Sequence, residues 1–264
     1  MSRLSEIFKR KGRCFIPFVT AGHPDLSLTR SIILELVNAG ADIVEIGIPF
    51  SDPIADGPII QASSFAALQH GYGVADFLQL VADLRRETDA GLIFMTYLNP
   101  IFSYGLDRLE SDALAAGLDG LLVSDLTAEE YRRLGKLQEI DCVFLAAPTS
   151  SDQRLERIAA CCRGFLYLVA RTGVTGHQTD VLEEVPSTLD RIRCFSSLPV
   201  AVGFGIRSSS DVRKVWEVAE GAVVGSAIVE FIANNQGEPD LASKVGQFLR
   251  RQLLAGLDRQ EFVG

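Results

Sequence analysis

The sequence predicts a (β/α)8 TIM barrel that spans residues 1–264 as a single domain, with a short helix before the first strand. The length of 264 residues suits one barrel of this kind. Short apolar runs alternate with longer amphipathic segments along the whole chain. No stretch rich in Pro or Ser divides the chain into parts. Together these observations predict one parallel barrel rather than two smaller domains.

Eight apolar or β-branched runs are predicted as strands, which is the number that closes the barrel. In chain order they are Cys14–Val19, Asp42–Gly47, Leu92–Thr96, Gly120–Ser124, Asp141–Leu145, Phe165–Val169, Val200–Gly203 and Ala222–Val224. A doubly wound open sheet needs fewer strands and usually has a glycine fingerprint after the first one. The segment Thr20–Asp25 has no such fingerprint.

The segments between these strands have helical periodicity. Residues 1–10 alternate charged and apolar side chains, which predicts a short amphipathic helix instead of a signal peptide. Helical patterns also cover Ser31–Gly40, Val74–Arg86 and Asp152–Cys162. Gly71 and Gly73 mark a break between two helices.

Composition argues against several classes of partner. The chain has 25 Lys and Arg against 34 Asp and Glu, a net charge of −9, so neither nucleic acid nor an anionic membrane is expected. No apolar run approaches the roughly 20 residues of a membrane helix.

The five cysteines (14, 142, 161, 162 and 194) lack C-x-x-C spacing. Reduced thiols in a cytoplasmic protein are the expectation.

Glycine-rich loops follow the sixth, seventh and eighth predicted strands. They contain Gly173, Gly176, Gly203, Gly205 and Gly225, and a short helix is predicted to begin near Ser226. Backbone N–H groups in this part of a barrel commonly bind phosphate. The alternative is that the glycines only form tight turns. The chain has no P-loop, and Gly203–Gly205 is too short for a dinucleotide fingerprint.

The second strand carries a candidate acid/base group. Strand alternation places Ile43, Glu45 and Gly47 on one face. If that face points into the barrel, burial raises the pKa of Glu45, which suits general acid/base catalysis. The alternative is a glutamate that faces the helices and pairs with an arginine. Asp52 and Asp56 follow in the next loop, where either could be only a turn former.

The residue types that are scarce narrow the reaction. None of the five lysines ends a predicted strand, so a Schiff-base aldolase lacks its nucleophile. The three histidines are too scattered to suggest a zinc site. These absences favour acid/base chemistry without a metal on a phosphorylated substrate: proton transfer, isomerisation or carbon–carbon cleavage.

One long run has a specific likeness. Glu45–Gln61, read as EIGIPFSDPIADGPIIQ, closely resembles the tryptophan synthase alpha chain family. Supporting segments occur in the family's order over almost the whole chain: FIPFVTAG from Phe15, MTYLNP from Met95, YLVARTGVTG from Tyr167, VGFGI from Val202 and VGSAIV from Val224.

The resemblance implies a barrel that cleaves indole-3-glycerol phosphate to indole and glyceraldehyde 3-phosphate. It places the acid/base role on Glu45 and the contact to the indole N–H on Asp56. The substrate-binding positions it implies are Phe18, Phe94, Leu122, Tyr167, Thr175, Gly176, Phe204, Gly205, Val223, Gly225 and Ser226. It implies no metal and no cofactor in this chain.

The resemblance also implies a partner. This is a tryptophan synthase beta chain, in an alpha2beta2 tetramer, that consumes indole with its own pyridoxal phosphate. Two other functions stay open: a stand-alone indole-forming lyase and a catalytically silent regulatory subunit.

The segment Arg171–Glu184 has no helix or strand pattern and is rich in Gly, Thr and Asp. Its length predicts a lid.

Three positions depart from the family pattern. Many relatives have Pro in the segment where this chain has Ser124 and Thr127, and position 94 is Phe where smaller aliphatic residues are common. The loop after the fourth strand is therefore expected to differ in conformation, and the pocket is expected to be tighter.

Overall fold

The structure is a computed structural model that describes residues 2–170, 184–203 and 205–262. For residues 259 and 260 it describes the backbone only. Its strands are β1 Cys14–Thr20, β2 Ile43–Gly47, β3 Gly91–Thr96, β4 Gly120–Val123, β5 Asp141–Val143, β6 Leu145–Ala146, β7 Leu166–Val169, β8 Val200–Gly203 and β9 Gly221–Val224. Each lies within one or two residues of a predicted strand.

All strand pairs are parallel, and they form a barrel. The order across the sheet is β5-β4-β3-β2-β1-β9-β8-β7-β6. The two end strands, β5 and β6, are separated along the chain only by Phe144, so the sheet curves round until its ends meet. The predicted TIM barrel is therefore confirmed.

The fifth predicted strand differs because it is interrupted at Phe144. The Phe144 N–H donates to the Cys162 sulfur at 3.3 Å. The Phe144 ring packs edge-on against Tyr131, with ring centroids 5.2 Å apart. A side-chain acceptor thus takes the N–H at this position, and the strand is divided into β5 and β6.

Helices cover the outside of the barrel and its amino end. They are α1 Arg3–Lys11, α2 Leu26–Asn38, α3 Pro58–Leu68, α4 Val74–Arg85, α5 Leu98–Tyr104, α6 Leu106–Ala116, α7 Ala128–Leu134, α8 Asp152–Cys161, α9 Val185–Arg193, α10 Ser209–Val218, α11 Ser226–Asn234 and α12 Leu241–Phe248. The helix expected from Ser31 begins earlier, at Leu26, because the Asp25 carboxylate caps it by accepting the Leu28 N–H at 2.8 Å.

Two apolar layers hold the barrel together. The larger lies between the strands and the surrounding helices and includes Val44, Ile46 and Trp216. The smaller fills the inside of the barrel. Its members are Leu4, Ile7, Phe8, Cys14, Ile16, Ile43, Ile93, Leu122, Val143, Phe165, Tyr167, Ala201 and Val223. Because α1 contributes three of them, this helix closes the amino end of the barrel and leaves the carboxyl end for the site.

The described part of the chain contains no disulfide between its cysteines. Within the same residues, no helix has both the length and the apolar character needed to cross a bilayer.

Candidate active site

Several predicted site residues meet on the inner face of the barrel, towards the carboxyl ends of the strands. Leu122, Tyr167 and Val223 belong to the interior layer. Phe18 lies beside Glu45 in the β1–β2 register, and the two share the inward alternation of Ile16 and Ile43. The sequence therefore brings these residues together from strands that are far apart along the chain.

Glu45 is the most unusual charged residue inside the barrel. It is 1% exposed, and its Oε1 has no hydrogen-bond partner among the described residues. Burial raises its pKa to about 8, so the carboxyl group holds its proton at neutral pH. The alternative of an outward-facing glutamate paired with an arginine is wrong, because Glu45 alternates with Val44 and Ile46 of the outer layer.

Tyr167 lies close enough to Glu45 to be affected by its charge. Burial and the Glu45 carboxylate together raise the pKa of Tyr167 well above its usual range, so its hydroxyl stays protonated. The ring lies over Gly203, where a Cβ atom would come within 2.0 Å of the Tyr167 hydroxyl. Gly203 is therefore needed to make room for Tyr167, a role different from the phosphate contact that its loop suggested.

Asp56 is held by Tyr97 rather than standing alone in a turn. The Tyr97 hydroxyl accepts the Ala55 N–H at 3.0 Å and hydrogen-bonds to the Asp56 carboxylate. Burial raises the pKa of Asp56 to about 6, while the bond from Tyr97 opposes the rise. Asp56 is thus mostly ionised at neutral pH, where Glu45 is mostly protonated, so the two carboxyl groups have different charge states.

Asp52, the other acidic residue of this loop, has the features of a turn former. It is exposed, its carboxylate accepts the neighbouring Ser51 hydroxyl at 2.5 Å, and its carbonyl accepts the Ile54 N–H. Nothing around it resembles the enclosed position of Asp56.

Phe94 is a correction to the predicted site. It is fully buried in the outer layer, and its register partners Ile46 and Leu121 belong to the same layer. The expectation that Phe94 lines the pocket is therefore wrong. Met95 faces inward in its place and packs against the interior layer. Alternation could not separate these two positions, because both faces of a parallel barrel strand are apolar.

Two of the predicted phosphate-binding residues, Gly225 and Ser226, lie at the start of α11. Gly225 precedes the helix without a side-chain cap, and Ser226 is its first residue, as the sequence predicted. Both are half-exposed, so the unpaired N–H groups of the first turn are open to an anion. Gly205 has φ +82°, a left-handed conformation that favours glycine.

Three predicted substrate-binding residues, Thr175, Gly176 and Phe204, lie outside the described residues. The same holds for the predicted lid, since 171–183 are outside them too.

Thr127, one of the positions that depart from the family pattern, lies directly before a helix. Thr127 caps α7: its hydroxyl accepts the Glu130 N–H at 3.2 Å, and the Glu130 carboxylate accepts the Thr127 N–H at 3.0 Å. Thr127 therefore takes part in a complete capping box at the start of α7.

Sequence reasoning missed Tyr97 and Met95. The only available signal for Tyr97 was a hydroxyl-bearing side chain directly after the third strand, which is where a barrel places functional groups.

Among the described residues, no group of three or more His, Cys, Asp or Glu side chains is arranged to hold a metal.

This geometry defines a class: a (β/α)8 barrel with a protonated glutamic acid in its interior, an ionised aspartate at its mouth, and a helix N-terminus open to an anion. Such a site can move a proton to and from a carbon atom while it stabilises a nearby positive charge.

The comparisons with known proteins identify the family. Residues 4–254 match the family model of the tryptophan synthase alpha chain. The tryptophan synthase alpha chain of Geotalea uraniireducens is 42% identical over 256 residues, which cover 94% of this chain and 96% of that one. That of Synechococcus elongatus is 42% identical and covers 98% of both. The chain belongs to the tryptophan synthase alpha chain family.

Solved structures agree with this assignment. Tryptophan synthase subunit alpha from Legionella pneumophila has a TM-score of 0.87 and 31% identity, covering 100% of this chain and 98% of its own. An aminoacrylate-bound tryptophan synthase from M. tuberculosis has a TM-score of 0.82 and 33% identity, covering 95% and 99%. A tryptophan synthase complex from Pyrococcus furiosus has a TM-score of 0.79 and 34% identity, covering 91% and 96%.

Proposed function

We propose that this chain cleaves indole-3-glycerol phosphate to indole and glyceraldehyde 3-phosphate by acid/base catalysis, as part of tryptophan biosynthesis in the cytoplasm. The observation that carries the proposal is the pair of carboxyl groups with different charge states, Glu45 and Asp56. The reaction needs both states at once, a protonated acid for the ring carbon and a carboxylate for the ring nitrogen.

The first step is protonation of the indole ring. Carbon 3 of indole must gain a proton before the bond to the glycerol side chain breaks. Glu45 holds its proton at neutral pH because it is buried, so it can donate to this carbon. The resulting carboxylate then accepts the proton of the side-chain hydroxyl that becomes the aldehyde. One residue therefore serves both transfers and ends the cycle protonated, as it began.

The second requirement is stabilisation of charge. Protonation at carbon 3 places a positive charge on the ring nitrogen. An ionised Asp56 that accepts the ring N–H stabilises this charge, and Tyr97 holds the carboxylate in place. Without Glu45 the ring carbon is not protonated. Without an ionised Asp56 the positive charge that protonation creates is not stabilised.

The phosphate group supplies binding energy far from the reacting carbon. We assign it to the backbone N–H groups around Gly205, Gly225 and Ser226, where the α11 dipole favours an anion. Phe18, Leu122 and Val223 supply the apolar walls for the ring. No cofactor is assigned to this chain in the proposal.

The partner in the proposal is a tryptophan synthase beta chain, which carries pyridoxal phosphate and consumes the indole. Two large apolar side chains beside the mouth of the barrel support such a contact: Ile54 in the Asp56 loop is 85% exposed, and Phe102 in α5 is 63% exposed. Exposed apolar groups at one edge of a site are typical of a protein interface. The alpha2beta2 stoichiometry is part of the same proposal.

The test is indole release from indole-3-glycerol phosphate by the purified chain, with and without a beta subunit, across pH. We expect kcat/KM to fall below the Asp56 pKa of about 6 and above the Glu45 pKa of about 8. Cleavage that the beta subunit accelerates supports an alpha subunit, and equal rates support a stand-alone lyase. No cleavage in either case would support the silent regulatory subunit instead.

A further inference from the structure

The hydroxyl group of Ser124 makes no hydrogen bond to the described residues. Its Oγ is buried and lacks a hydrogen-bond partner among the described residues. The backbone at this position is well anchored, because the Ser124 N–H donates to the Thr96 carbonyl at 2.8 Å. The backbone is therefore held in place, while the polar atom of the side chain has no partner among the described residues.

The register of the sheet shows where this hydroxyl lies. Ser124 follows β4 and shares the alternation of Leu122, which belongs to the interior layer. Thr96 pairs with Val123, and Leu122 pairs with Val143. Continued by one position, the first pairing brings Ser124 beside Tyr97; continued by two positions, the second brings it beside Leu145. Ser124 therefore lies on the inner face between these two residues. Ser124 is thus a neighbour of the residue that holds Asp56.

A buried hydroxyl without a partner destabilises a folded protein, whereas alanine at the same position does not carry this cost. Other enclosed hydroxyl groups in this chain are bonded: the Thr29 hydroxyl donates to the Asp25 carbonyl at 2.6 Å, and that of Ser150 accepts the Ala147 N–H at 3.1 Å. An unpaired buried polar atom in a native protein needs a specific explanation, and a group that a bound ligand pairs with is one such explanation.

We propose that Ser124 is a specificity-determining residue whose hydroxyl hydrogen-bonds a polar substituent on the ring of the bound indole. The proposal rests on the cleavage reaction proposed above and names a further class of substrate for the same site. The enzyme then accepts hydroxyindole derivatives in preference to the methylindole derivatives of similar size.

The surroundings of Ser124 make this preference measurable. Leu122 and Val223 line the interior with apolar groups, and such walls discriminate weakly between a methyl and a hydroxyl substituent. A single unpaired hydroxyl changes that balance, because it gains a partner only when the ligand brings one. The indole ring can carry its substituent at several carbons. We expect the preference for a hydroxyl over a methyl group at the carbon that lies next to Ser124, directly after β4.

The test compares dissociation constants of hydroxyindoles with those of the matched methylindoles, for substitution at each carbon of the benzene ring. Isothermal titration calorimetry is run on the wild type, Ser124→Ala and a control, Ser196→Ala. Ser196 is also half-buried, but its hydroxyl accepts the Leu198 N–H at 3.1 Å before β8, at the opposite end of the barrel.

For at least one ring position, we expect the wild type to prefer the hydroxyl over the methyl compound and Ser124→Ala to lose about tenfold of that preference. Ser196→Ala should keep the wild-type ratio. If Ser124→Ala leaves the ratio unchanged at every ring position, the proposal is wrong.

Thermal unfolding gives a second readout that does not depend on ligand. Ser124→Ala is expected to raise Tm by about 2 to 4 °C, because the unpaired hydroxyl is removed, while Ser196→Ala lowers it slightly. A lower Tm for Ser124→Ala would show that the hydroxyl has a structural partner and would overturn the proposal. Wild-type cleavage of indole-3-glycerol phosphate is assayed in parallel, so failure of the proposed function is seen separately from failure of the Ser124 preference.

Discussion

The two ends of the barrel treat their buried acidic residues in opposite ways. At the amino end, Asp42 accepts the Phe15 N–H at 2.8 Å and lies 3.4 Å from Lys11 of α1. Asp119 accepts the Leu92 N–H at 2.8 Å and contacts the guanidinium of Arg85 at 2.6 Å. Further inside, Glu45 has one oxygen with no partner among the described residues.

Asp141 lies between these extremes. It begins β5 at the amino end, and one of its carboxylate oxygens lacks a hydrogen bond, but Arg163 lies 4.0 Å from the other. Even there a cation faces the acidic group. Cations and backbone N–H groups thus hold the acidic residues of the amino end, whereas Glu45 keeps one carboxyl oxygen without a partner among the described residues and is therefore able to exchange a proton.

The largest expected effect follows from replacing the unpaired acid. Glu45→Gln should lower kcat by about three to four orders of magnitude, because the amide cannot donate or accept the transferred proton. Substrate affinity should stay within about tenfold, since the phosphate and ring contacts remain. Single-turnover assays and equilibrium binding measure the two quantities separately. Substantial turnover in the variant would remove Glu45 from the mechanism.

Asp56→Asn should reduce kcat by about two to three orders of magnitude, because a neutral amide stabilises a positive ring nitrogen poorly. The matched control is Asp52→Asn, which changes an exposed carboxylate in the same loop. We expect the control to retain wild-type turnover. If both variants behave alike in the cleavage assay, Asp56 has no charge-stabilising role.

The sequence was enough to predict the barrel and the direction of Glu45, but less than the whole site. Helical and apolar periodicities gave eight strands within one or two residues, because each strand is short and bounded by turns. The choice between Phe94 and Met95 failed, since no polar residue marks which face of β3 is inside. Tyr97 was missed because its bond to Asp56 joins two loops that only the closed sheet brings together.

The amino end should respond in stability rather than in turnover. Asp119→Ala removes the acceptor of the Leu92 N–H and a partner of both Arg3 and Arg85. We expect it to lower the free energy of unfolding by about 3 kcal/mol, measured by urea denaturation, because buried groups lose their partners. Its kcat should match the wild type below the unfolding transition. A variant that is inactive but fully stable would contradict the division between the two ends.

Tyr97→Phe should have the smallest effect. It removes the hydrogen bond that opposes the rise in the Asp56 pKa and leaves the Ala55 N–H without its acceptor. We expect kcat/KM at neutral pH to fall by about tenfold and the acid limb of the pH profile to move to higher pH. An unchanged acid limb would show that Tyr97 only fills space.

Glu45 is buried in its protonated form, and the pH dependence of stability reports this protonation. The folded protein keeps a proton on Glu45 up to its pKa of about 8, whereas the unfolded chain releases it near the ordinary value of 4.5. Stability of the wild type therefore falls as pH rises between these values, by up to about 1.4 kcal/mol per pH unit from this group. Glu45→Gln has no titrating carboxyl group at this position and lacks this pH dependence. Urea denaturation of both proteins should show the stability of the variant relative to the wild type increasing steadily over that range. A difference that stays constant with pH would show that folding does not raise the pKa of Glu45.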